Sequence, residues 1–196
     1  MIRLLLLSLF VLAGAAQAQV TNGSALPLAD RSFSTADGSS LTLTSAAGDE
    51  GLVVLFWSNT CPWTERYAER VADLVRVYVP AGVGVVLVNE DDPTTGDPAP
   101  ASAARSHAAS RSLTAPYVLD ADGALATAFG ATNTPHAYFF GPDRTLLYDG
   151  AIDDGPADVS RVQTAYLRQA MDQSVAGLPI EVQQTRALGC KIEAGQ

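Results

Sequence analysis

The chain has two thiols, Cys61 and Cys190, and they are 129 positions apart. Cys61 lies in "WSNTCPWTERY", residues 57 to 67, where an apolar run ends and a helical pattern begins. Pro62 suits the first position of a helix, where its missing N–H is not needed, so Cys61 falls at the N-cap or is its immediate neighbour. A sulfur there feels the partial positive charge of unpaired amide groups, which favours thiolate over thiol and makes Cys61 a candidate nucleophile. The competing reading is a small buried side chain at a strand–helix junction, because free cysteine is among the most buried residue types. Trp57 and Trp63 flank it on either side.

The elements that must hold Cys61 are legible on both sides. Before it, "GLVVLFWS" is continuously apolar and rich in β-branched and aromatic residues, the pattern of a strand buried on both faces. After it, Trp63, Tyr67, Val71, Leu74, Val75 and Tyr78 recur at helical spacing, and the helix should end at Pro80-Ala81-Gly82. "VGVVLVNEDD" reads as a second buried strand, parallel to the first through a right-handed crossover. A Pro-rich loop then leads into an Ala-rich helix around residues 101 to 112. "PYVLD" is a short third strand, "ALATAFGA" gives one or two helical turns, and "TPHAYFF" with "TLLYDG" forms an antiparallel hairpin. An amphipathic helix is expected from about Asp158 to Val175, with Val159 and Val162 on its apolar face. Upstream, "SFSTADGSSLTLTSAAGDEG" reads as a hairpin of short polar strands around Asp37-Gly38. The order predicts an α/β fold: a central mixed sheet covered on both faces by helices, with an N-terminal hairpin and a C-terminal tail over residues 177 to 196. In such sheets the reactive edge is at the carboxyl ends of the strands, where Cys61 sits.

The opening "MIRLLLLSLFVLAGAAQAQV" has the layout of a signal peptide over residues 1 to 18: one arginine, an apolar run, then small residues before a cleavage point. The expectation is a periplasmic or secreted protein with no stable membrane anchor, its domain spanning residues 19 to 196. In an oxidising compartment two cysteines permit one intramolecular disulfide and no zinc site built on CxxC pairs. A net charge of −9 with 12 scattered Lys and Arg argues against a nucleic-acid partner. The acidic runs at 89 to 92 and 153 to 154 lack the alternation of an EF-hand loop and read as loop residues. His107, in the Ala-rich helix, reads as a surface residue, and Glu65 as a solvated one.

Four segments, "LVVLFWSNTCPW", "TPHAYFF", "LYDGAIDD" and "TRALGCKIE", together resemble the thioredoxin-fold redoxins. More narrowly, they are similar to the alkyl hydroperoxide reductase/thiol-specific antioxidant class. The resemblance implies that Cys61 is the attacking cysteine and that Pro135 is a cis-proline facing it. It implies that Thr134 offers its backbone amide to a bound chain, and that Cys190 is the resolving thiol. Ser58 occupies the position of a peroxiredoxin threonine and could offer a hydroxyl to a peroxide oxygen. With Trp63 and His136 it completes the expected substrate-binding set, and His136 could also tune the sulfur or help bind a metal.

The departures narrow the chemistry. Thr64 stands where Cys-x-x-Cys would place its second cysteine, and Glu65 where Cys-x-x-x-Cys would. Val54 replaces the peroxiredoxin proline, and "ATNTPHAYFF" carries no arginine. The reading is therefore a thiol-based oxidoreductase that needs no cofactor. It would act on a protein or small-molecule disulfide or a peroxide and be recycled by an external thiol reductant. Its rivals are a thiol peroxidase, a soft-metal module in which Cys61, His136 and Cys190 hold Cu(I), and a redoxin fold whose disulfide only staples the tail.

Overall fold

The computed structural model describes residues 20–90 and 100–192; the expected signal peptide and Asp91, Asp92 and the Pro-rich loop lie outside the described residues. The chain first forms a small hairpin of β1 (Phe33–Ser34) and β2 (Ser40–Leu41), as its Asp37-Gly38 turn predicts. The polar stretch after it is not more strand. Thr42 accepts a hydrogen bond from the Ser45 amide while the Ser45 hydroxyl meets the Thr42 amide, a capping box that starts the short helix α1 (Leu43–Ala46).

The sheet is built on β3 (Gly51–Trp57), buried along its whole length. Strand β4 (Val83–Asn89) pairs parallel to it, and β5 (Tyr117–Leu119) pairs parallel to β4. On the other side β7 (His136–Phe140) runs antiparallel to β3, and β8 (Leu146–Gly150) closes the hairpin, giving the order β5-β4-β3-β7-β8. The alternation of β3 divides the core in two. Val53, Leu55 and Trp57 face a cluster with Tyr67, Val71, Leu74 and Leu167. Leu52, Val54 and Phe56 face a second cluster with Leu43, Leu125 and Phe129. Helices α2 (Pro62–Tyr78), α3 (Pro100–Ser110) and α5 (Tyr166–Val175) contribute to the first layer, α1 and α4 (Ala124–Phe129) to the second. This is the mixed sheet covered on both faces that the element order implies.

The last helix is shorter than its apolar spacing suggests. Residues 158 to 165 are held by loop chemistry: Asp154 accepts from the Gln163 and Thr164 amides, and Asp158 caps a 3-10 turn at Val159–Arg161. Val159 is 63% exposed and does not face the core, and α5 begins only at Tyr166. The tail carries regular pairing of its own. Residues 183 to 185 run along the edge of β8, and β9 (Cys190–Lys191) pairs antiparallel with the two-residue strand β6 (Asn133–Thr134).

Candidate active site

Cys61 is the N-cap of α2, and Pro62 follows in the first turn. The turn from β3 into α2 is fixed by side chains. Ser58 Oγ accepts from the Cys61 amide at 3.2 Å and from the Thr60 amide at 3.2 Å. Thr64, at the position of a missing second cysteine, is fully buried, with its hydroxyl 2.5 Å from the Ser58 carbonyl oxygen and 2.6 Å from that of Cys61. Ser58 and Thr64 thus hold the backbone beneath the sulfur.

Opposite them, the Thr134–Pro135 peptide bond is cis, as the resemblance implies. Thr134 is buried, and its carbonyl oxygen lies 3.2 Å from Cys61 Sγ. Cys61 and Cys190 are joined in a disulfide, with Cα atoms 6.0 Å apart, and β9 places Cys190 directly across from Thr134. The sulfur of Cys61 therefore sits between two opposed influences once reduced. The helix N-terminus favours a thiolate. The Thr134 carbonyl favours the protonated form, for which it is a ready acceptor.

The remaining expected residues are Trp63 and His136. Trp63 is half-buried on the first turn of α2, with the Arg66 guanidinium 5.0 Å from its ring centre. His136 opens β7, paired with Phe56. Its ring centre is 4.5 Å from that of Tyr138, and Nδ1 accepts from the Thr132 amide at 3.4 Å. An amide can only donate, so Nδ1 carries no proton and the neutral ring holds its proton on Nε2. Burial pushes the imidazole down to about 4. His136 lines a polar cavity of about 410 Å³ together with Tyr138, Asp149, Gln184, Thr185 and Arg186, which neither cysteine lines. Burial also holds the Asp149 carboxyl above its ordinary range, against the lowering effect of the Gln184 amide. Among the described residues no three His, Cys, Asp or Glu side chains gather as a metal-binding group.

Several supporting residues escape a sequence reading. Arg70 on α2 pairs with Asp153 at 2.6 Å, and the same carboxylate accepts from the Tyr67 hydroxyl at 2.9 Å and from the Gly155 amide. Asp153 is thus a buried anchor between α2 and the loop after β8. His107 accepts a hydrogen bond from the Trp57 indole at 3.1 Å, which satisfies a fully buried N–H next to the active turn. Glu65 pairs with Arg111 across 2.6 Å. Thr185 fixes the tail: its hydroxyl oxygen accepts from the Ala151 amide at 2.9 Å and lies 2.6 Å from the Tyr148 hydroxyl. A side chain on Gly150 would collide with Thr185, so glycine there admits the tail to the sheet edge. No local signal marks these pairs, since each partner is far away in sequence.

A family model described as AhpC/TSA family matches residues 23–149. The chain belongs to this family. Its membership and its thioredoxin-like fold make it a redox enzyme of the thiol class. None of the curated proteins matches the AhpC/TSA chain. Among solved structures it is similar to a hypothetical protein of Sinorhizobium meliloti 1021, at 28% identity and a TM-score of 0.81, covering 91% of this chain and 97% of that one. An uncharacterized conserved protein from Geobacillus kaustophilus shares 24% identity with a TM-score of 0.78, covering 91% and 93%. A putative thiol:disulfide interchange protein from Chlorobium tepidum shares the fold at 18% identity and a TM-score of 0.60, covering 81% and 98%.

Proposed function

We propose that the protein is an exported thiol-disulfide oxidoreductase in which Cys61 attacks and Cys190 resolves. The observation that carries this reading is the Cys61–Cys190 disulfide at the N-terminus of α2, facing the cis Thr134–Pro135 bond. In the reduced protein the Cys61 thiolate attacks one sulfur of a substrate disulfide R–S–S–R′, forming Cys61–S–S–R and releasing R′–S⁻, which takes a proton from solvent. The Cys190 thiol gives up its proton and attacks Cys61 Sγ, expelling R–S⁻ and closing the internal disulfide. The substrate gains two electrons and the cysteine pair loses two.

An external dithiol then restores the pair. Cys61 is 3% exposed while Cys190 is partly exposed, so Cys190 is the sulfur open to attack. The incoming thiolate bonds to Cys190, and Cys61 leaves as a thiolate at a helix N-terminus, where its charge is favoured. The second thiol of the reductant then releases Cys190.

Export follows from the signal-peptide layout of residues 1 to 18, and places the protein in a compartment where disulfides persist. N-terminal sequencing of the protein recovered from the periplasm or medium tests it, with cleavage expected near Ala18/Gln19. For the chemistry, the reduced protein is mixed with a protein disulfide, a small disulfide and hydrogen peroxide in turn. Disulfide consumption that vanishes in Cys61→Ser, and a trapped mixed disulfide in Cys190→Ser, are expected. Consumption of peroxide alone would contradict the reading in favour of a thiol peroxidase.

A further inference from the structure

We propose that residues 189 to 192 are a built-in copy of the substrate, and that the site takes an extended polypeptide carrying glycine immediately before its reactive cysteine. The inference rests on the oxidoreductase reading and adds the substrate class to it. In the oxidised protein the tail does what a bound chain in a mixed disulfide has to do: its cysteine is bonded to Cys61 while its backbone pairs with the strand beside the sulfur.

The contacts of that strand define what is read. Asn133 pairs with Lys191 and Thr134 with Cys190. The Asn133 side-chain amide donates to the Gly189 carbonyl at 3.1 Å, and the Ile192 amide donates to the Thr132 carbonyl at 3.0 Å. All of these reach the tail's backbone, so they impose an extended conformation and no side-chain identity. Position 189 is different. A Cβ there would lie 2.0 Å from the Thr134 carbonyl oxygen, 2.6 Å from its carbon and 3.2 Å from Pro135 N. All three atoms are backbone, in the residues that face Cys61, and cannot swing aside as a flexible side chain can. Lys191 is exposed and leaves its position open, while Ile192 packs against the second apolar cluster. The pattern accepted is Gly-Cys, then any residue, then an apolar one.

The slot holds one strand at a time. A substrate chain pairs with Asn133 and Thr134 only after β9 has left, and Cys190 regains its place only as the substrate strand departs. Resolution is then a strand exchange as well as a thiol exchange, with the same bonds made and broken as above.

The test uses the full-length Cys190→Ser protein, reduced, and two hexapeptides presented as disulfides with a chromogenic thiol, Leu-Gly-Cys-Lys-Ile-Glu and Leu-Ala-Cys-Lys-Ile-Glu. The rate of mixed-disulfide formation at Cys61 is expected to be about tenfold or more higher for the glycine peptide. A small, unstructured disulfide serves as the control for reactivity. Equal rates for the two peptides, with the control reacting at Cys61, overturn the substrate-copy inference and leave the oxidoreductase reading standing. Failure of the control as well as both peptides overturns both. A second measurement needs no peptide: Gly189→Ala in the otherwise native chain is expected to lower the fraction of Cys61–Cys190 disulfide at fixed glutathione poise, and an unchanged fraction counts against the inference.

Discussion

Cys61 follows a seven-residue strand buried along its whole length and caps a 17-residue helix, whereas Cys190 sits on a two-residue strand near the end of a tail. The first sulfur is held by the core. Both apolar clusters pack on β3, and Ser58 and Thr64 fix the turn beneath it. The second is held by the disulfide itself, by the short ladder on β6, and by Thr185 five residues upstream. A pair that must cycle needs this asymmetry: one sulfur preorganised in a rigid site, the other able to leave while staying tethered. The tether matters because Thr185, docked five residues before Cys190, keeps that thiol near a target 129 positions away in sequence, so it attacks at the high effective concentration of an intramolecular partner.

Lesions on the two sides should therefore differ in kind. The largest effect is expected from Asp153→Asn, which breaks the buried pair with Arg70 on the Cys61 side. Removing one partner of a buried pair costs about 3–5 kcal/mol, and because the Arg70 side chain is 16% exposed and keeps the Gly155 and Arg66 carbonyls as acceptors, the loss here falls at the low end, about 3 kcal/mol. Urea denaturation should show this as a global loss of stability, and a shift under about 1 kcal/mol would place the anchor elsewhere.

The pH dependence of folding probes the same scaffold at His136. Its folded-state value, about 4, lies below the ordinary 6.5, so the unfolded chain takes up the proton first as pH falls. Its contribution is fully present above about pH 7 and is lost between about 6.5 and 4, a change of about 3 kcal/mol. Asp149 and Asp120 are shifted upward by burial, and each gains stability as pH falls, with the opposite sign. The difference between wild type and His136→Asn isolates the histidine, and a difference that does not change with pH would contradict its burial as a neutral ring.

The smallest effect is expected on the tail. Thr185→Val removes the acceptor of the Ala151 amide and should weaken tail docking by about 1–3 kcal/mol. Amide hydrogen exchange in the reduced protein should quicken at Thr185 and Ile192 while the β3 amides keep their protection. Equal acceleration in β3 would mean that tail and core form one cooperative unit, and the asymmetry would be gone.

What the sequence shows follows the same division. The apolar runs of β3, β4 and β7 announce buried strands, and Pro62 with the helical spacing after it puts Cys61 at an N-cap or next to it. These are local signals of periodicity and cap chemistry. The placement of Cys190 is carried instead by backbone hydrogen bonds and by a glycine that is required because Thr134 and Pro135 crowd its position, and neither leaves a periodic trace in "TRALGCKIE". The Asp153 pair is hidden for another reason: its partner Arg70 is 83 positions away, and a run of two aspartates reads as an exposed loop. The start of α5 was obscured because Val159 and Val162 extend the apolar spacing while Asp154 and Asp158 bind the intervening amides in a loop.

The most direct test of the central claim is a redox titration of the purified protein in graded glutathione buffers, read by intact mass after thiol alkylation. A cycling pair predicts one reversible Cys61–Cys190 transition with a midpoint above about −270 mV. A disulfide that stays closed below about −300 mV would be a permanent staple of the tail, and would contradict the account.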